Sequence, residues 1–527
     1  MNVSDAIYKI RSMAKLSQEQ LASMLGVTRQ AVQKWESGAG IPDLPHLIQI
    51  SKRFGVSLDS LIFGSNARFV DELPVEPEIK PALSQLHRWE RYSADLGVEY
   101  RQSEEEGYDI EQYKALFDAV EKMPDSDYKE KIADVLFELR LNLPKRESFV
   151  YNEPSDYDSI VALCNNSLWK GESADKSNLY DKVCGAWYAR IAGCLLGKTV
   201  EGIITDELHS FLKESGNWPM YRYIESADVT DEVILKYKYR LKGRCFADTV
   251  ECAPCDDDTN YTVLYQDVID RYGRDFTSFD VAKEWLDMQP KDAYCTAERV
   301  AFCNLVKGYR PPNSAIYKNP YREWIGAQIR GDYFGYINPG DPKKAAEMAW
   351  RDAAVSHVKN GIYGEMFAAA MIACAAVEND VEKIILGGLS QVPTTSRLYE
   401  KINEILEMYR NKKDKKLVFG RIHTIYDERN DHDWCHTISN AMIVVAALLY
   451  GGGDYGKSVC MAVETGFDTD CNGATIGSVL GMRNGYDALD KKWFEPIHGY
   501  LDTSIFGIGK VSVKSLVDKT MKHIENK

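Results

Sequence analysis

The 527-residue chain lacks any apolar run long enough to cross a bilayer. Its longest runs, Phe367 to Val377 and Ala441 to Tyr450, reach about half of the roughly 20 residues a spanning helix needs. They read as buried core helices, and no membrane partner is expected. A secretion signal is missing as well: Met1-Asn2-Val3-Ser4-Asp5 leads straight into an amphipathic pattern, so the expected compartment is cytoplasmic. The 12 cysteines are not paired by spacing; Cys252 and Cys255 form one C-x-x-C and no second pair completes a zinc site. Scattered reduced thiols are the simpler reading. An excess of positive charge is absent too. With 64 Lys and Arg against 79 Asp and Glu, the net charge of −15 excludes a protein that coats nucleic acid over its whole surface. The length implies two or three domains, and 45% hydrophobic residues with 27% charged fit an ordinary globular protein.

The acidity is unevenly spread. Through residue 64 the basic set (Lys9, Arg11, Lys15, Arg29, Lys34, Lys52, Arg53) slightly outnumbers the acidic one (Asp5, Glu19, Glu36, Asp43, Asp59). The same region reads as five short helices. Ile7, Ile10 and Met13 share one face. Ser17 and Gln20 form a capping box, Gly26 ends that helix, and Thr28 caps the next. In the helix after Thr28, Ala31, Val32 and Trp35 face inward while Arg29, Gln30, Gln33 and Lys34 face out. Two helices joined by a tight glycine turn are helix-turn-helix geometry. The stretch Ser17 to Gly38 (SQEQLASMLGVTRQAVQKWESG) resembles the Cro/repressor-like helix-turn-helix family. The resemblance implies that the helix starting at Thr28 enters the major groove of DNA. Gln30, Gln33 and Lys34 would then meet base edges, with Arg29 and Gln18 at phosphates or flanking bases. It also implies a homodimer on paired half-sites.

Residues 67–176 carry no signature. Pro74, Pro77 and Pro81 make Glu72 to Pro81 a stiff non-helical link. Tyr113, Leu116, Phe117 and Val120, then Ile132, Val135, Leu136 and Leu139, follow helical spacing on either side of Met123-Pro124. A helical spacer, a dimerisation element and a subdomain packed on the C-terminal part all fit that pattern.

From about residue 177 glycine and alanine become frequent. Gly185, Ala189, Gly193 and Gly197 recur every fourth position, as do Gly473, Gly477, Gly481 and Gly485, the last of each lying near its helix end. Each series forms a stripe almost free of side chains. Interior glycine is less favourable than alanine by about 1 kcal/mol, so something must approach these backbones closely. Beside the stripes stand Asp256-Asp257-Asp258, Asp468-Thr469-Asp470 and Glu201. One acid at a helix start needs only the helix dipole to explain it. Three in a row, and a D-x-D more than two hundred residues later, exceed what capping asks. If the two clusters meet, their repulsion calls for a hard cation such as Mg²⁺, Mn²⁺ or Ca²⁺.

Four motifs, Gly185 to Gly202 (GAWYARIAGCLLGKTVEG), Cys255 to Leu264 (CDDDTNYTVL), Ser356 to Ala373 (SHVKNGIYGEMFAAAMIA) and Gly466 to Gly481 (GFDTDCNGATIGSVLG), resemble the ADP-ribosylglycohydrolase family in its own order. The resemblance implies an all-α domain holding two divalent metals, Mg²⁺ with Mn²⁺ as the alternative. Asp257, Asp258, Asp468 and Asp470 fall on the family's metal-binding aspartates, and Glu201 on the glutamate linked to metal and reacting water. His357, Asn360 and Gly361 fall in its ligand-binding region. Two positions depart from the family pattern. Asp256 stands where a threonine ligand is common, and Cys471 stands where a threonine follows the D-T-D, although sulfur suits hard ions poorly. Other candidates lie outside the motifs. The loop Arg330 to Gly340 reads as an adenine or ribose contact or as a plain turn, and His432 and His436 as a ligand pair at i and i+4 or as structural histidines.

The expectation is therefore an all-α protein in three parts. Residues 1–66 form a five-helix repressor-like DNA-binding domain, 67–176 a linker and helical connector, and 177–527 a large all-α ADP-ribosylglycohydrolase-like domain. The function expected is metal-dependent hydrolysis of a glycosidic bond to ADP-ribose, on an ADP-ribosylated protein or a small molecule, joined to DNA binding. Glu201, Asp257 and Asp258 would act in catalysis, and Asp256, Asp257, Asp258, Asp468, Asp470 and Cys471 in metal binding. The alternative is a transcriptional regulator whose C-terminal domain senses an ADP-ribose-like ligand without turnover.

Overall fold

The computed structural model describes residues 3–63, 82–171, 178–237 and 244–526; the expected link Glu72 to Pro81 lies outside them. The chain divides into two units, Met1–Gln85 and Leu86–Lys527.

The first unit contains α1 (Val3–Met13), α2 (Gln18–Leu25), α3 (Arg29–Glu36), α4 (Leu44–Phe54) and α5 (Leu58–Phe63). Local chemistry sets the boundaries. Ser17 and Gln20 make the reciprocal capping box, Gly26 stops α2 at φ 71°, and Thr28 accepts from the Ala31 N–H. Asp43 caps α4 and Gly55 ends it. Ile7, Leu21, Leu25, Val32, Trp35, Ile50 and Leu61 form the core. Glu36 ties three helices together: it accepts from Arg11 Nε at 2.5 Å and from Gln18 Nε2 at 2.7 Å.

The second unit is built on the antiparallel pair α10 (Leu179–Lys198) and the helix Thr469–Asn484. The glycine stripes face each other. A Cβ added to Gly185 would lie 2.5 Å from the Gly481 carbonyl oxygen, and one on Gly477 would lie 2.5 Å from the Ala189 carbonyl carbon. Only residues with no side chain permit this approach. Gly197 lies inside α10, whereas Gly485 lies just past its helix as the C-cap. The helices Asn360–Ala375 and Thr437–Gly451 pack in the same core and are buried along nearly their whole length. A two-stranded ribbon, Tyr500–Leu501 against Val511–Ser512, is the one sheet among the described residues. No described helix is long and apolar enough to cross a membrane.

The compact units divide between Gln85 and Leu86, so residues 86–176 fall in the larger one. Helices α6 (Leu96–Glu105), α7 (Lys114–Glu121), α8 (Asp127–Leu141) and α9 (Tyr157–Leu163) belong to the larger unit. Buried charge fixes them there. Arg322 donates to both Glu99 oxygens at 3.0 Å and to Glu106 at 2.5 Å, and Gln102 donates to Glu323 at 2.6 Å. Trp89 and Val98 pack against the cluster of Ala297, Val300, Tyr321, Trp324 and Cys435. Of the three readings of the middle segment, the packed subdomain is the one found. Leu116 and Val135, expected on apolar faces, are exposed, while Phe117 and Leu136 are buried.

Candidate metal centre

Two helix starts converge. Asp256 is the N-cap of the helix Asp257–Tyr272, and its Oδ1 accepts from the Asp258 N–H at 3.0 Å. Asp468 stands at the N-cap of Thr469–Asn484 and makes no side-chain cap bond. The turn before it runs through Gly466 and Phe467 at φ 76° and 57°. That region is strained for phenylalanine; the buried ring holds it. Asn440 Oδ1 accepts from the Asp468 N–H at 3.2 Å, and Thr469 Oγ1 donates to the Gly197 carbonyl at 2.9 Å. The glycine seam thus delivers Asp470 to the end of α10, from which the chain runs on to Glu201.

Asp258, Asp470 and Cys471 each offer a donor atom within 4.8 Å of the others, and so do Cys194, Asp256 and Asp258. Asp258 is shared. It is fully buried, and neither of its carboxylate oxygens has a hydrogen-bond partner; Asp470 Oδ1 is also unpartnered. Arg190 gives its hydrogen bonds to the main-chain carbonyls of Asp258 and Ile329, and its guanidinium lies 3.6 Å from Asp258 Oδ1 as a buried ion pair without a hydrogen bond. Leaving such atoms unmet costs about 1–3 kcal/mol each, and a cation is what would meet them.

The electrostatics agree. Glu201 is pushed up to about 8, first by the charge of Asp470 and then by burial. Burial, with Asp256 and Asp470, lifts Asp257 to about 7. Asp258, Asp468 and Asp470 are raised by burial and by the charges of neighbouring acids. Asp256 alone moves down: burial opposes its charge, but the Lys198 ammonium outweighs it. Lys198 Nζ forms an ion pair with Asp256 Oδ2. Of the expected set, the structure brings together Glu201, Asp256, Asp257, Asp258, Asp468, Asp470 and Cys471.

Several participants were not read from the sequence. Lys198 looked like an ordinary basic residue at a helix end. Cys194, Cys295 and Cys435 looked like scattered thiols, yet Cys435 Sγ lies 3.9 Å from Asp468 Oδ2, and Cys295 lies in the field of Asp257. Glu298, raised by burial to about 7, neighbours Asp257 and accepts from Arg330 at 2.5 Å. No local spacing marks these residues.

Other expectations are corrected. Asn360 donates to Glu153 and Glu323 at 2.8 and 2.9 Å and accepts from the Leu398 N–H at 3.0 Å. Its amide is committed to the fold, not to a ligand. His357 is fully buried, bonded through Nδ1 to Ser356 at 2.8 Å, while its Nε2 has no hydrogen-bond partner. A Cβ on Gly361 would lie 2.7 Å from the Arg322 carbonyl oxygen, so this glycine serves packing. Arg330 sits in a buried cluster with Glu298 and Asp352, and Tyr333, Phe334 and Tyr336 are core residues, which makes the Arg330 loop a structural turn.

His432 and His436 do gain a third neighbour, Glu105, at 3.3 and 3.7 Å from their Nε2 atoms. Their Nδ1 atoms accept from Trp324 Nε1–H and the Ile438 N–H, both at 3.1 Å. Both partners are donors only, so each ring carries its proton on Nε2 and points it toward the carboxylate. Glu105, His432 and His436 place donor atoms within 4.8 Å of one another, but with this tautomer neither Nε2 offers a lone pair; His432 Nε2 bonds to Glu105 and His436 Nε2 has no hydrogen-bond partner.

In the first unit, Arg29, Gln30, Gln33 and Lys34 are exposed on α3 and Thr28 is exposed at its cap. Gln18 is half-buried and gives its amide to Glu36, so an outside partner can meet only its carbonyl oxygen or the remaining N–H.

Comparison with known proteins gives two family matches, the ADP-ribosylglycohydrolase family over residues 175–525 and a helix-turn-helix family over residues 7–61. The HTH-type transcriptional activator BcrR of Enterococcus faecalis is 44% identical over 64 residues, 12% of this chain and 31% of its own length. The chain therefore spans about a third of that relative. A prophage-derived uncharacterized HTH-type regulator of Bacillus subtilis (strain 168), YonR, is 40% identical over 75 residues, 14% of this chain and 69% of its own. Among solved structures, an ADP-ribosylglycohydrolase-related protein complex aligns with a TM-score of 0.42 and 16% identity over 66% of this chain and 99% of its own.

Proposed function

The chain belongs to the ADP-ribosylglycohydrolase family, and from that premise we propose that its larger unit hydrolyses a glycosidic bond to ADP-ribose with the help of a divalent ion, while its first unit binds DNA. The observation that supports the first half is the convergence of Asp258, Asp470 and Glu201, in which both Asp258 oxygens and Asp470 Oδ1 are buried without a hydrogen bond. Asp258, Asp468 and Asp470 fit a hard ion, with Mg²⁺ or Mn²⁺ as its identity. A bound ion would supply positive charge against the ribose and pyrophosphate oxygens of the ligand. Glu201, poised near neutrality, exchanges a proton with the attacking water. Asp257, beside it, opposes the positive charge that grows on the sugar as the C1″ bond breaks. For the DNA half, the support is the exposed Gln30, Gln33, Lys34 and Arg29 of α3, residue types that suit base edges and phosphates. The helix-turn-helix match extends this proposal to a homodimer on paired half-sites.

The test is release of ADP-ribose from ADP-ribosyl-arginine by the full chain with Mg²⁺ or Mn²⁺. Release by the wild type and its loss in Asp258→Asn and Asp470→Asn are expected; equal turnover in the variants sinks the assignment. A second reading, a regulator that binds the ligand without turnover, is favoured by one feature, the Lys198 ammonium already seated in the acidic cluster. It predicts binding of ADP-ribose without cleavage, and DNA affinity that changes when the ligand is present.

A further inference from the structure

We propose that this centre holds one divalent ion, not two, on Asp258, Asp470 and the sulfur of Cys471, and that the Lys198 ammonium fills the place of a second. The proposal rests on the metal-dependent reading above and specifies its site.

The two donor triads share Asp258 but differ in what is left to give. In the triad of Cys194, Asp256 and Asp258, the Asp256 carboxylate is already engaged on both oxygens. Oδ1 accepts the Asp258 N–H at 3.0 Å, and Oδ2 is paired with Lys198 Nζ. Asp256 is 5% exposed while the Lys198 side chain reaches partly to solvent, so the pair is screened from one side only. A protonated amine has three donors and no lone pair; it cannot ligate, and it repels a divalent ion brought beside it. Asp256 and Lys198 also belong together chemically. The Asp256 carboxylate stands where the resemblance implies a neutral threonine, and the Lys198 ammonium offsets its charge.

The triad of Asp258, Asp470 and Cys471 is different. Both Asp258 oxygens and Asp470 Oδ1 are buried without hydrogen bonds; the Arg190 guanidinium, 3.6 Å from Asp258 Oδ1, spends its hydrogen bonds on main-chain carbonyls. Cys471, 6% exposed, places its Sγ within 4.8 Å of their donor atoms. A sulfur donor moves the preference of such a site from Mg²⁺ toward Mn²⁺, Fe²⁺, Co²⁺ and Zn²⁺. On ligation the sulfur–metal bond forms as the S–H bond breaks, and the proton leaves to the buffer.

The test uses the full chain, freed of metal by chelation and titrated with Co²⁺. Bound cobalt is counted by elemental analysis, and the absorption spectrum is recorded. One Co²⁺ per chain is expected, with a sulfur-to-cobalt charge-transfer band in the near ultraviolet. The band is expected to vanish in Cys471→Ser and to persist in Cys194→Ser, and Lys198→Met is expected to take up a second equivalent. Two equivalents in the wild type, or one without the band, overturn the proposal whether or not the variants fold. Two equivalents together with ADP-ribose release would leave the hydrolase reading standing and remove only this one. No cobalt uptake at all overturns both.

Discussion

Gly193 and Gly473 meet backbone to backbone: a methyl group built on either would overlap the carbonyl group of the other. The same seam brings Gly197 against Thr469, next to Asp470. The stripe is therefore part of the site, because it sets how far apart two sets of carboxylates are held.

Gly473→Ala should destabilise the larger unit by about 1–3 kcal/mol, the usual range for overpacking a tight interior contact. Since the helices must move apart, affinity for a divalent ion should fall as well. Urea unfolding and an ion titration on the same variant check both; a loss of stability with ion affinity unchanged would separate the seam from the centre.

Asp258→Asn should act in opposite directions on stability and function. Both oxygens of Asp258 are buried without hydrogen bonds, and burial with the neighbouring carboxylates outweighs the Arg190 guanidinium 3.6 Å from Oδ1. Removing its charge should raise the stability of the metal-free protein by on the order of 1 kcal/mol. The same change should abolish ion binding and ADP-ribose release. Melting temperatures with and without chelator, compared with wild type, provide the measurement.

The acid centre also sets a pH dependence. Glu201 rises to about 8 in the folded protein, while its unfolded value lies near the ordinary glutamate value of about 4.3. Between those values the folded state holds a proton that the unfolded state has lost. The stability of the metal-free chain therefore falls as pH rises through that window. Relative to Glu201→Gln, the metal-free wild type should match at pH values below about 4, lose stability progressively up to about pH 8, and stay level above it. Thermal melts of both proteins in chelator across this range test the sign.

Much of this arrangement was legible in the chain, because its signals are local. Ser17, Gln20, Gly26 and Thr28 announce α2 and α3 through capping chemistry that acts within four residues. The glycine stripes and the doubled acids stand out because they are unfavourable unless something compensates. What escaped reading depends on partners far along the chain. Lys198 meets Asp256 across 58 residues, and Gln102 meets Glu323 across 221. Glu99 and Glu106 are interior because Arg322, more than two hundred residues away, neutralises both.

That buried charge makes the middle segment indispensable. Arg322 serves Glu99 and Glu106 together. Arg322→Met would leave both carboxylates short of their main cation, and removing one partner of a buried pair typically costs about 3–5 kcal/mol. The larger unit of this variant should unfold at markedly lower urea concentration. A chain beginning at residue 177 should be insoluble for the same reason, since it exposes Trp324, Tyr321 and their neighbours. Solution behaviour of the truncated chain is a direct check.

The first unit separates two kinds of DNA contact. Arg29 and Gln33 both lie exposed on α3, but one carries charge and the other carries a side-chain amide. Arg29→Ala should weaken binding evenly across sequences and reduce the salt dependence of log affinity by about one unit of slope. Gln33→Ala should leave the slope unchanged and lose about 1–3 kcal/mol of discrimination at one base pair of the site. The wild-type site comes first, from selection on random duplexes, and both variants are then titrated on it over a salt series. Because the two outcomes differ in kind as well as in size, a unit that merely docks on a protein partner would produce neither, and selection would return no common sequence.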